Sequence, residues 1–207
     1  GKSTLINLIP RFYDIQQGQI LVDGIDVRDY KQKDLRSKIG YVPQRGILFS
    51  GTVESNIKYG NPDASNEEMI NAAEVAQAAG FINEFPEKYQ NHISQGGTNV
   101  SGGQRQRLSI ARALLIHPEI YIFDDSFSAL DYKTDALLRA ALYKEIKKYN
   151  STAIIVAARI STIRNAHQII VLDEGKIVGK GTHSELMKNC EVYKEIALSQ
   201  LSGEELE

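Results

Sequence analysis

Ile120-Tyr121-Ile122-Phe123-Asp124-Asp125 begins with four apolar residues in a row and closes on two carboxylates. A run without polar alternation reads as a strand buried on both faces. Working outward, Ala153 to Ala158 is a second near-continuous apolar strand. Ile39-Gly40-Tyr41-Val42 is a third, closed by Pro43. A helix is predicted from Ser101 through Leu108, Ile110, Ala111, Leu114 and Leu115 to Pro118, and an amphipathic helix over Ala136 to Lys148. Buried-type strands that alternate with helices predict an α/β sheet covered on both faces.

Turn and cap signals fill in the rest. Asp23-Gly24, between Gln19-Ile20-Leu21-Val22 and Ile25-Asp26-Val27, predicts a tight hairpin. Glu174-Gly175, between residues 168–172 and 176–178, predicts another. Leu5, Ile6, Leu8 and Ile9 predict a short helix stopping before Pro10. Capping boxes are expected at Ser65 with Glu68 and at Thr182 with Glu185. The helix after Ser65 is expected to run over Asn66 to Ala79, with Gly80 at its C-cap. The middle, roughly Thr52 to Ser101, is expected to form a helical subdomain apart from the sheet. Residues Ser202 to Glu207 are acidic and expected to fray.

Composition narrows the class. The 207 residues are 42% hydrophobic and 24% charged, with 16 Gly and 5 Pro, which excludes disordered and collagen-like chains. A formal net charge of −2 leaves no footprint for nucleic acid, so no nucleic-acid partner is expected. Cys190 is the single cysteine, which excludes an internal disulfide and a cysteine-based zinc site. The four histidines, His92, His117, His167 and His183, show no ligand spacing and are expected at the surface or in turns. Arg105 and Arg107 are expected on a solvated helix face or at a seam.

The chemistry concentrates in a few places. Gly1-Lys2-Ser3-Thr4 is the second half of a phosphate-binding loop, G-x-x-x-x-G-K-[ST]. There a glycine lets backbone N–H groups approach phosphate, the lysine reaches the β and γ oxygens, and the serine hydroxyl meets Mg²⁺. Such a loop needs a second element, a strand ending in a carboxylate that faces the metal, and Asp124 ends one. Ser101-Gly102-Gly103-Gln104 opens a helix with two glycines in its first turn. Each glycine costs roughly 1 kcal/mol against alanine, so the pair calls for a reason other than helix formation. Free N–H groups beside a serine hydroxyl make an anion cradle.

Together these motifs resemble the nucleotide-binding domain of ATP-binding cassette (ABC) transporters of the exporter type, over essentially the whole chain and in order. Gly1-Lys2-Ser3-Thr4 looks like the end of Walker A, and Tyr41-Val42-Pro43-Gln44 like the Q-loop. Ser101 to Gln104 looks like the signature, after Val100 where Leu is commoner. Ile120 to Asp124 looks like Walker B, and Ser128-Ala129-Leu130-Asp131 like the D-loop. The resemblance implies a P-loop NTPase sheet flanked by helices, with a helical subdomain carrying the signature. Residues 1–44 and 118–189 would form the catalytic core, about 45–117 the subdomain, and 190–207 a helical tail. It implies ATP and Mg²⁺ as cofactors. Gly1, Lys2, Ser3 and Thr4 would bind phosphate, and Ser3, Gln44 and Asp124 would bind the metal. Ser101, Gly102, Gly103, Gln104 and Asp131 would meet the ATP of a second such domain across a head-to-tail seam.

Two positions depart from the family pattern. Asp125 stands where the family usually has Glu as general base, one methylene shorter, and a misplacement of about 1 Å can cost on the order of 10²-fold. Ala158 stands where the family has a His that contacts the γ-phosphate. Loss of one such donor typically costs roughly 2.7–4 kcal/mol of transition-state stabilisation. The expectation is therefore the degenerate half of a heterodimeric exporter. Its own site would be slow, and its signature would complete a partner's site. A transmembrane domain in the same longer polypeptide would hold it at the cytoplasmic face of a membrane. The alternatives are a soluble ABC ATPase acting as an ATP-gated dimerisation module, and a homodimeric exporter with a tolerant site. The resemblance further implies that the first Walker A glycine and the preceding N-terminal strands are missing. The isolated chain is accordingly expected to bind ATP poorly and fold marginally.

Overall fold

The structure, a computed structural model, describes residues 1–200; the expected fraying of 202–207 lies outside the described residues. Helix α1 spans Lys2–Asn7, beginning earlier than the apolar pattern suggests because Gly1 serves as its N-cap. Strands β1 (Leu21–Val22) and β2 (Ile25–Asp26) form the hairpin expected around Asp23-Gly24. Both turn residues have positive φ, 51° and 79°, the twist that a two-residue hairpin loop needs. Helix α2 (Gln32–Ser37) leads into β3 (Ile39–Val42).

Next come β4 (Gly51–Thr52), α3 (Val53–Lys58), α4 (Asn66–Val75), α5 (Ala79–Glu84) and β5 (His92–Ile93), which pairs antiparallel with β4. Ser65 and Glu68 make the expected capping box on α4. Gly80 is not the C-cap. The chain reverses three residues earlier, through Gln77 at φ 57°, and Gly80 lies inside α5. Helix α6 (Gly102–Leu114) is capped by Ser101 and Gln104 in a reciprocal box.

Strand β6 (Ile120–Asp124) is central in a parallel sheet of order β3-β6-β7, with β7 at Thr152–Val156. Tyr121 and Phe123 pack into one apolar cluster with Val42, Leu108, Leu138 and Leu142. Ile122 packs into another with Ile6, Val22, Leu35 and Val156. The alternation follows the two-residue period of a strand, and both faces are covered as the apolar run predicts. Strand β7 stops two residues short of the expected end, so Ala158 lies beyond the sheet.

Helix α7 (Tyr132–Tyr149) starts four residues before Ala136 because the Asp131 side chain caps it, accepting the Thr134 N–H at 3.0 Å. After α8 (Ile160–Ile163), the hairpin of β8 (Ile169–Asp173) and β9 (Lys176–Gly181) turns through Glu174-Gly175 as expected. Helices α9 (His183–Asn189) and α10 (Glu191–Gln200) then pack on α8 and β8 around Ile160, Val171, Leu186 and Tyr193.

Candidate functional site

The phosphate-loop residues and the carboxylate that ends β6 meet. Ser3 on the first turn of α1 donates its hydroxyl to Asp124 Oδ1 at 2.8 Å. Asp124 is buried at the strand's end, whereas Lys2 and Thr4 are exposed on the same turn of α1. Behind the pair, the Tyr41 hydroxyl donates to Asn7 Oδ1 at 2.7 Å. Burial first, and the charge of Asp124 second, push the Tyr41 phenol up to about 12, so it stays neutral and can donate.

Asp125 leaves the strand in the left-handed region at φ 46°, which aspartate tolerates better than most residues. Its backbone N–H bonds the Val156 carbonyl at 2.9 Å, and its Oδ2 accepts Gln44 Nε2 at 3.2 Å. Gln44 and Asp125 therefore touch, and Asp125 follows Asp124 directly in the chain. Ala158 is exposed two residues beyond Val156 and presents only a methyl group.

Ser101, Gly102, Gly103, Gln104 and Asp131 form a separate group. The Ser101 hydroxyl accepts the Gln104 N–H at 3.2 Å, and Gln104 Oε1 accepts the Ser101 N–H at 3.0 Å. A Cβ on Gly103 would lie 3.4 Å from the Ala129 carbonyl, so this helix start packs against the residues before Asp131. Among the described residues, a Cβ on Gly102 would meet nothing within 4 Å. The Thr134 N–H holds the Asp131 carboxyl below the usual carboxylate range.

Sequence reasoning passed over the residue that ties the two groups together. Gln106 of α6 is buried, 2% exposed. Its Oε1 accepts the Gly46 N–H at 2.8 Å and its Nε2 donates to the Pro43 carbonyl at 3.0 Å, gripping the backbone on both sides of Gln44. Gly46 is required for this approach, since a Cβ there would lie 2.6 Å from Ser109 Oγ and 2.8 Å from the Arg105 carbonyl. Arg112 adds a third hold on the same loop, donating to the Ile47 carbonyl at 2.9 Å. The sequence does carry a signal: Gln106 shares a helical stripe with Ser109, Ile110 and Ala113, three buried residues.

Arg105 and Arg107 are not on a solvated face. Arg105 donates to the carbonyls of Gly96 and Gly97. Arg107 donates to Gln77 at 2.7 Å with its guanidinium 4.6 Å from the Phe81 ring centroid. His183 is likewise buried rather than at the surface, with Nδ1 2.8 Å from the Tyr193 hydroxyl. Among the described residues, there is no group of three or more His, Cys, Asp or Glu that could hold a metal ion, and no helix is long and apolar enough to cross a membrane.

The family model described as ABC transporter matches residues 1–128. The chain belongs to the ABC transporter family. An uncharacterized ABC transporter ATP-binding protein of Mycobacterium tuberculosis (strain ATCC 25618 / H37Rv) is 52% identical over 203 residues, 97% of this chain and 34% of that protein. A Bacillus subtilis (strain 168) protein, provisionally named a multidrug export ATP-binding/permease protein, is 46% identical over 196 residues, 95% of this chain and 33% of its own length. Among solved structures, a bacterial Atm1-family ABC exporter with ATP bound matches at a TM-score of 0.92 and 38% identity, covering 96% of this chain and 35% of that one. This chain thus has the α/β P-loop NTPase fold of ABC proteins, and it spans about a third of the length of the curated relatives it matches.

Proposed function

We propose that this chain is the ATP-binding and ATP-hydrolysing domain of an ABC exporter, slow at its own site and supplying its signature to a partner's. The observation that carries the reading is the 2.8 Å bond from Ser3 to Asp124, which brings a phosphate-loop hydroxyl onto the carboxylate at the end of a central strand. Two hard oxygen donors so placed fit Mg²⁺, which is commonly held by one or two carboxylates together with substrate phosphates. When bound, the ion neutralises charge on the phosphate oxygens.

The chain's own residues would do the rest. Gly1 and Lys2 would hold the β- and γ-phosphates and Thr4 the α-phosphate, while Gln44 would orient metal and water. Asp125 would take the proton of the attacking water, and its contact with Gln44 at 3.2 Å supports that placement. Its short side chain and the methyl group of Ala158 together make that step slow. Ser101, Gly102, Gly103, Gln104 and Asp131 would face the ATP of a second nucleotide-binding domain in a different subunit. Residues 1–44 and 118–189 would serve as core, about 45–117 as the subdomain carrying the signature, and 190–207 as a tail. The permease named in the Bacillus subtilis relative supports a transmembrane domain in the same polypeptide, with this domain at the cytoplasmic face. No nucleic-acid partner is proposed, since Arg105 and Arg107 are spent on internal carbonyls.

The test is hydrolysis by the reconstituted pair after Asp125→Asn and, separately, after mutation of the partner's general base. The first should leave most turnover and the second should abolish it. Equal loss from both would overturn the division of labour.

A further inference from the structure

Gln200, at the end of α10, holds the backbone beyond β7 with both ends of its amide. Its Nε2 donates to the Ala158 carbonyl at 2.9 Å, and its Oε1 accepts the Ile160 N–H at 2.9 Å. A carbonyl and an N–H two residues apart are what a neighbouring strand would engage; here one side chain engages both. The Ile160 N–H opens α8, where no intrahelical acceptor exists for it. Packing sets the geometry: Ile160 shares an apolar cluster with Tyr193 and Ala197 of α10, which brings Gln200, three residues on, to the loop.

The same segment is held from two other directions. Arg139 of α7 donates to the Ser161 carbonyl at 2.8 Å while paired with buried Asp135 at 3.0 Å. The Val156 carbonyl accepts the Asp125 N–H. Residues 156–161 thus form a crossbar between Asp125 and the C-terminal helix. Each of these contacts engages its backbone, and none uses the side chain at 158.

We propose that Gln200 is a positioning residue for the hydrolytic site: from a helix remote in sequence, it fixes where residue 158 stands relative to Asp125. The proposal rests on the reading of Asp125 and Ala158 as hydrolytic positions. It implies that a histidine placed at 158 works only while Gln200 holds the loop.

Gln200→Leu keeps the bulk and removes both hydrogen bonds, whereas Gln200→Glu keeps the acceptor for the Ile160 N–H and loses the donor to Ala158. Both variants are measured in the assembled exporter, natively and with Asp125→Glu plus Ala158→His, by amide hydrogen exchange over residues 157–163 and by kcat and KM for ATP. Gln200→Leu should speed exchange over 157–163 by roughly tenfold or more and leave β6 protected. In the Asp125→Glu, Ala158→His background it should lower kcat by about tenfold with KM changed by less than about twofold. Gln200→Glu should fall between. Unchanged exchange over 157–163 overturns the clamp, and faster exchange with unchanged kcat overturns its role in positioning. Faster exchange that extends into β6, with KM rising in parallel, also overturns it in favour of a structural role. Absence of any gain from Asp125→Glu with Ala158→His is a failure of the hydrolytic reading instead, and the exchange over 157–163 still decides the clamp.

Discussion

The Ser3 hydroxyl donates to Asp124 Oδ1 at 2.8 Å across 121 positions of sequence. Each residue type is common, and only their meeting at the end of a central strand sets this pair apart. Ser3→Ala should therefore weaken the Mg²⁺-dependent part of ATP binding, on the order of 10–100-fold, the range seen when groups supporting a metal are removed. Calorimetric titration with ATP, with Mg²⁺ and with EDTA, measures it. Equal loss under both conditions would argue against a metal role for Ser3.

Asp125→Glu combined with Ala158→His should raise hydrolysis at this site. One restored donor is worth roughly 2.7–4 kcal/mol, or about 10²–10³-fold. Site-resolved single-turnover rates would show the gain; rates equal to the native chain would count against a defect at these two positions.

Gln106→Leu strips partners from the Gly46 N–H and the Pro43 carbonyl in a buried setting. A buried group left unpaired costs about 1–3 kcal/mol, so the unfolding midpoint in urea should fall accordingly. Gly46→Ala should cost about 1–3 kcal/mol as well, but through overpacking against Ser109 and Arg105. Ser109→Ala should recover part of the Gly46→Ala loss and none of the Gln106→Leu loss.

Burial, and then the charge of Arg164, push His183 below its ordinary value of 6.5. The unfolded chain takes up this proton near 6.5 and the folded chain only at lower pH. Stability contributed by neutral His183 is therefore present above 6.5 and lost as pH falls through the folded value. His183→Gln can still hydrogen-bond Tyr193 but does not titrate. It should flatten the fall in Tm between about pH 7.5 and pH 5.5, with little change above that window. An unaltered Tm profile would remove His183 from the account.

Local chemistry was legible where a few adjacent residues decide the outcome. The Asp23-Gly24 and Glu174-Gly175 turns and the Ser65 and Thr182 caps are set by backbone preference and one side-chain hydrogen bond each, and the structure has them where the sequence places them. The end of α4 was not legible, because the left-handed residue that stops it is Gln77, and glutamine announces no such turn. The burial of His183 depends on the docking of α10, and the internal pairing of Arg107 depends on where Gln77 and Phe81 fall in space. Of the motif residues, the structure brings Ser3 to Asp124 and Gln44 to Asp125. The grip of Gln106 on the Gln44 loop is a long-range contact that no spacing rule encodes, although an amide on the same helical stripe as apolar Ile110 and Ala113 was its visible trace.

The two glycines that open α6 are not equivalent. A Cβ at Gly103 would touch a carbonyl of its own chain at 3.4 Å, whereas among the described residues nothing crowds Gly102. Alanine at 102 should be indifferent, or even slightly favourable, to the folding of the domain, since it restores helix propensity worth roughly 1 kcal/mol. Any harm it does must be felt by a body outside the chain. At 103 an alanine would only reach ordinary contact distance, so the fold tolerates either change, and substitution at both positions questions the company the helix start keeps.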